Sequence, residues 1–274
     1  MNLHELITFT KRVREDKIID VSAQLAYYFL LAMFPLFISI LSMMSFFPIS
    51  SNDVLRLLTP YVPPGTMEIL TFNINTIIDV QRFDALSFST IATIWLSLIG
   101  TFAMIRAINH AYRLPVPRFH HMLVIGSGLM LTFIFAILIS LLLPIYGRPA
   151  GAFLFRLTEY DESFMVFWGW VRWIISFVVI GFVLMFVYIS VPNKKIRMHQ
   201  VIPGTIFALI LWHAGSLGFS VYVENNDYSV IYGSLGNIIV LMIWFYLTAF
   251  SVLVGAEINI SVEEKQKRKS LKKH

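Results

Sequence analysis

Six stretches of this chain run for about 20 residues with almost no charge, and that repetition restricts the fold more than any other feature. They lie at Val21 to Phe47, Leu86 to Ile105, Met122 to Leu143, Phe167 to Val191, Val201 to Val223 and Leu235 to Ala256. A hydrocarbon core about 30 Å thick takes about 20 apolar residues of helix to cross. Inside it no water satisfies N–H and C=O groups, so runs of this kind must be helical. The alternation of an outer-membrane barrel is absent. At 57% hydrophobic and 14% charged residues, with a mean hydropathy of +0.74, the chain is too apolar for a soluble domain. The expected fold is an all-α integral membrane protein with six transmembrane helices, one polytopic domain over residues 1–274.

The segments between the runs carry their own patterns. Leu3, Leu6, Ile7, Phe9 and Val13 fall mainly on one helical face, which predicts an interfacial helix within residues 1–20. The charged stretch from Lys11 to Asp20 precedes a span too long for a signal peptide, so the first helix is expected to stay. Met67, Leu70, Ile74, Ile77 and Ile78 keep helical spacing after the breaker "PYVPPG", and predict an amphipathic external cap over residues 48–85. Residues 257–274 read as a basic cytoplasmic tail. There is no cysteine, which removes disulfides, thiolate nucleophiles and cysteine metal sites.

Lysines and arginines fall unevenly across these loops. Sixteen lie before the first run and after the second, fourth and sixth, from Lys11 to Lys273; only Arg56, Arg82, Arg148 and Arg156 lie in the opposite loops, and Arg172 sits just inside the fourth run. The positive-inside rule then places both termini in the cytoplasm. The basic tail is expected to touch anionic lipid head groups. A nucleic-acid partner is not expected, because the basic residues are spread over four segments without interleaved aromatics.

Polar residues within the runs are candidates for function. Gln24, Tyr27 and Tyr28 lie early in the first, before Pro35, which should kink it. Small residues at Ser22 and Ala26, and at Ala214 and Gly218, have the spacing that lets helices approach closely. His213 falls near mid-membrane, where an ionisable group is a candidate proton relay; a packed histidine bonded to a carbonyl is the plainer reading. Glu257 ends the last run within "VLVGAEIN", about 33 Å of helix from Leu235 and so at the cytoplasmic boundary. An acid at a helix C-terminus opposes the dipole, so a partner is expected. Arg106 is the expected partner, with Asn259, Asn109 and Gln24 lining a polar pocket open to the cytoplasm.

No GxSxG elbow, HExxH helix, Walker loop or GxGxxG turn occurs. His110, His120 and His121 have no neighbouring carboxylate in sequence to complete a metal site. No catalytic residue, metal or cofactor is expected.

"SAQLAYYFLLAMFPLFISI" from Ser22, "AINHAYRLP" from Ala107, and "YSVIYGSLGNIIVLMIWFYLTAFSVLVGAEIN" from Tyr228 together resemble the YihY/BrkB family of bacterial inner-membrane proteins. The resemblance covers nearly the whole chain in order, and the last segment is its most specific part. It implies a six-span plasma-membrane protein. Members have been linked to serum resistance and, in one branch, proposed to move a lipid A precursor; an older ribonuclease label also travels with the family. Three readings follow. The first is a transporter or flippase for a lipid-linked or amphiphilic envelope substrate, the second a non-transporting scaffold for envelope assembly, and the third, disfavoured, an RNA-processing ribonuclease. Membrane lipids are the expected partners, and self-association is left open.

Overall fold

The computed structural model describes residues 10–44, 55, 71, 83–136, 163–224 and 235–271. Seven helices and no strand occur among them. They are α1 (10–15), α2 (Ile18–Met44), α3 (Phe83–Ala111), α4 (Phe119–Ala136), α5 (Ser163–Ser190), α6 (Met198–Glu224) and α7 (Leu235–Leu271). Segments of α2, α3, α4, α6 and α7 are long and apolar enough to cross a membrane, and α5 contains the further apolar segment Phe177–Ser190. The chain is therefore an all-α multi-pass membrane protein. Residues 1–9 of the expected interfacial helix and nearly all of the expected cap lie outside the described residues.

Two compact units divide the chain. The smaller, Tyr27–Gly100, holds the later part of α2 and the earlier part of α3. There Ser39 Oγ and Thr90 Oγ1 share a hydrogen bond of 2.9 Å. Phe88, Ile91 and Trp95 are exposed, as lipid-facing side chains would be.

The larger unit, Met1–Ala26 with Thr101–His274, is built around Leu25, Met104, Ile105, Ile108, Leu129, Val187, Tyr188 and Val201, all buried. Five of its hydroxyls are satisfied locally: Ser22, Thr132, Thr205, Thr248 and Ser251 each donate to the carbonyl four residues back, while the Tyr188 hydroxyl donates across to Val252 O at 2.7 Å. The closest helix approach is between α6 and α7. A Cβ on Gly204 would stand 2.1 Å from the Gly255 carbonyl oxygen, and one on Gly255 would stand 2.1 Å from Tyr188 Oη. Only glycine permits main chain to meet main chain in this way. Of the two small-residue pairs the sequence offers, Ser22 and Ala26 are buried, whereas nothing lies within 4 Å of a Cβ built on Gly218 and Ala214 is exposed.

Two turns at the charged end use residues that rarely adopt left-handed backbone. Lys17, with φ of 50°, separates α1 from α2. Arg113, with φ of 56°, ends α3: its N–H donates to His110 O at 2.9 Å and Leu114 N–H to Asn109 O at 2.9 Å. This is a Schellman ending with arginine where glycine is usual. The α7 boundary also differs from expectation. Sequence ends the helix at Ala256, yet it continues to Leu271, so Glu257 is an interior residue and the dipole argument for its partner lapses. The residues beyond it, "ISVEEKQKRKSL", are mostly strong helix formers.

Candidate functional site

Charged side chains of α1, the α3–α4 turn, the α5–α6 connection and the end of α7 meet at one end of the larger unit. Arg12 bonds to Glu264, tying α1 to α7. Lys194 Nζ donates to Glu263 Oε2 at 2.6 Å and stands 4.2 Å from the centre of the Tyr112 ring. Arg113 Nη1 donates to Asp16 Oδ1 at 2.5 Å, and His110 Nδ1 lies 3.4 Å from the same oxygen. Burial pushes the Tyr112 phenol up from its ordinary pKa, and the Glu263 and Glu257 carboxylates add to the effect.

Inside this ring of ion pairs sits Glu257, with no exposed surface. It lines a small cavity with Asp16, Ile18, Val21, Ala107, Ile108, Ala111, Leu253 and Ala256. The room for water centres is about 10 Å³, near the minimum that one water needs. Asp16 faces Glu257 closely enough for a side-chain hydrogen bond. Carboxylates are acceptors only when ionised, so two of them cannot make that bond unaided. Both Glu257 oxygens accordingly lack a partner. An uncompensated buried acid costs several kcal/mol, roughly, unless a proton or a cation relieves it.

The structure assigns the other candidates separate surroundings. Arg106 is exposed and forms no ion pair with Glu257 among the described residues; the guanidiniums whose fields reach Glu257 are those of Arg12 and Arg113. Asn109 is fully buried and braces two elements: its Nδ2 donates to Ile105 O at 2.8 Å and Val191 O at 2.9 Å, and its Oδ1 accepts from Asn193 N at 2.7 Å. Asn259 is 1% exposed; its Oδ1 accepts the Gly204 N–H at 2.7 Å, one residue after Pro203, and its Nδ2 has no partner. Gln24 is exposed. His213 is half-buried, with Nδ1 2.8 Å from Leu209 O and its ring stacked on Phe177 at 3.7 Å between centres. Among the described residues no group of three or more histidines and acids could hold a metal ion.

Sequence reasoning passed over Asp16, Arg12 and Arg113. Asp16 stands in "KRVREDKIID", where an acid between basic residues reads as a solvated helix face. Only the reversal at Lys17 turns it inward. Gly204 and Gly255 did carry a signal, since Gly204 with Ala208 and Ser251 with Gly255 are four residues apart.

These features define a polytopic helical membrane protein with a buried acid pair at its charged end. The family model described as "Virulence factor BrkB" matches residues 9–274, and the chain belongs to that family. A protein named as ribonuclease-like, YfkH of Bacillus subtilis (strain 168), is 37% identical over 248 residues, covering 90% of each chain. UPF0761 membrane proteins of Xanthomonas oryzae and Xanthomonas campestris are 26% identical over 260 residues, 92% of this chain. The chain spans 59% of the length of those Xanthomonas relatives. No solved structure matches.

Proposed function

We propose that this protein moves a lipid-linked or amphiphilic envelope substrate across the bacterial plasma membrane, with both termini in the cytoplasm. One observation carries the reading. Between α4 and α5 runs an apolar groove of about 630 Å³, lined by Leu131, Ile134, Phe135, Val178, Phe182 and Val183 among others, with Thr132 as the one polar side chain among the described residues that line it. The volume falls in the range of small-molecule sites, about 300–1,000 Å³. Its lining belongs to α4, which is long and apolar enough to cross a membrane, and to the apolar segment Phe177–Ser190 of α5, so the groove is suited to what comes from the bilayer. Phe135, Val178 and Phe182 are exposed along it, a surface suited to an acyl chain. The head group of such a substrate is polar, which suits a protein that also carries charge at the end of its spans. The basic loops support the orientation.

The test is translocation by the purified full chain in phosphatidylcholine–phosphatidylglycerol vesicles carrying a fluorescent acylated sugar-phosphate probe. Quencher added outside should reach the inner-leaflet probe faster than in protein-free vesicles. Equal rates, with or without an imposed ion gradient, would remove the transport reading in favour of a scaffold.

A further inference from the structure

Glu257 combines three properties that a packing residue does not need. It is fully buried, both its oxygens lack a donor, and the group facing it across the cavity is another carboxylate, Asp16, whose side chain is 3% exposed. Two like charges so enclosed repel strongly, because the low local dielectric screens them poorly. Surrounding charge does not cancel them. The groups facing the pair are Arg12, already bonded to Glu264; Arg113, bonded to Asp16 and 3.9 Å from Glu15; the exposed His110 beside Asp16; and the Tyr112 phenol, which is neutral and carries no compensating charge. Glu15 is also paired with Lys11, at 3.7 Å, which leaves the three carboxylates of Asp16, Glu257 and Glu264 sharing two guanidiniums. Lys194, on the α5–α6 connection, is engaged by Glu263.

A proton resolves this arrangement at once. Placed on either carboxyl it removes one negative charge and supplies the missing donor, turning a contact between two acceptors into a hydrogen bond. The cavity has space for about one water and none for a hydrated cation. His110, with a side chain 66% exposed and 3.4 Å from Asp16, gives the pair an exchange route to solvent. Cβ-level packing closes the other sides: Ala107, Ile108, Ala111, Leu253 and Ala256 bring no polar side chain.

We propose that Asp16 and Glu257 form a proton-binding site holding one proton between them at neutral pH, and that this proton is the ion coupled to transport. The second half rests on the function proposed above; the first does not. The site joins α1, the start of α2, the end of α3 and α7, so gaining or losing its proton alters the contact between the N-terminal segment and the last span.

The two halves are tested separately on the full-length protein in vesicles. Infrared spectra at neutral pH should show the C=O stretch of a buried protonated carboxyl, shifting in deuterated buffer. The band should be lost in Glu257→Gln and in Asp16→Asn, and kept in His110→Gln, which separates it from the neighbouring imidazole. An absent band, or one that survives both carboxyl substitutions, would overturn the proton site. Size-exclusion profiles matching wild type show which variants remain folded; if Glu257→Gln does not fold, Asp16→Asn alone decides. Coupling is read from probe flux driven by a pH gradient, expected to be lost in Glu257→Gln while wild type responds. Gradient-driven flux unchanged in that variant would overturn the coupling and leave the band intact. Absence of any wild-type flux beside a normal band would defeat the transport reading, and the coupling with it, but not the proton site.

Discussion

The carbonyl oxygen of Gly204 lies 2.8 Å from where a Cβ on Gly255 would stand, and the Gly255 carbonyl is nearer still to one on Gly204. These two obstacles are backbone, and at Gly255 the Tyr188 hydroxyl stands nearer still, at 2.1 Å. Gly204→Ala and Gly255→Ala should therefore each separate α6 from α7 and lower stability by about 1–3 kcal/mol, the usual range for overpacking. Gly215→Ala is the matched control, because nothing lies within 4 Å of its Cβ position. Thermal stability in detergent should fall for the first two and hold or rise for the third. Equal responses would place the helix crossing elsewhere.

Asn109 should be replaceable by nothing smaller. Asn109→Ala unties the Asn193 N–H and strands the buried Val191 carbonyl, a loss of about 1–3 kcal/mol for a buried group left unpaired. Asn109→Asp keeps the acceptor for Asn193 but cannot donate to Val191, and brings a charge into a buried site. Both variants should unfold at lower temperature than wild type, and Asn109→Ala should expose the α5–α6 connection to hydrogen exchange first. Unchanged exchange at Asn193 would show that the brace is not needed.

Tyr112 makes the charged end sensitive to alkali. Its neutral form is favoured in the folded state, so the stability it contributes is complete below the ordinary phenol pKa of about 10 and is lost as pH rises beyond it. Melting temperature should drop between about pH 9 and 11, and less steeply in Tyr112→Phe, which cannot ionise. Parallel declines would assign the alkaline loss to other groups.

The charge bias also predicts topology. A reporter fused after His274 should behave as cytoplasmic, as should one fused before Met1, since 16 basic residues flank those ends of the runs against 4 on the other. Opposite signals from the two fusions would overturn the even span count.

The spans were legible because length and hydropathy are local quantities, and the bilayer leaves the backbone one solution. Glu257 and Asn259 could be singled out for the same reason: polar side chains stand out against "VLVGAEIN". Their partners could not be read that way. Arg106 and Arg113 lie about two turns apart at the same end of the helix, and which of them reaches Asp16 depends on the left-handed ending at Arg113. Asp16 is brought to Glu257 by a reversal at Lys17, a residue with no special preference for that backbone. Nor does periodicity reveal where α7 stops. Sequence reads a loss of hydropathy after Ala256 as the end of a helix, when it is the point where the helix leaves its apolar surroundings and begins pairing through Glu263 and Glu264.

The central claim, that an amphiphile travels along the groove between α4 and α5, is tested most directly by filling that groove. Ala136→Trp places an indole inside it, while Val124→Trp adds the same bulk at an exposed position of α4 outside it. Probe translocation in vesicles should be fast with wild type and Val124→Trp and slow with Ala136→Trp. Equal rates for all three proteins would contradict the account.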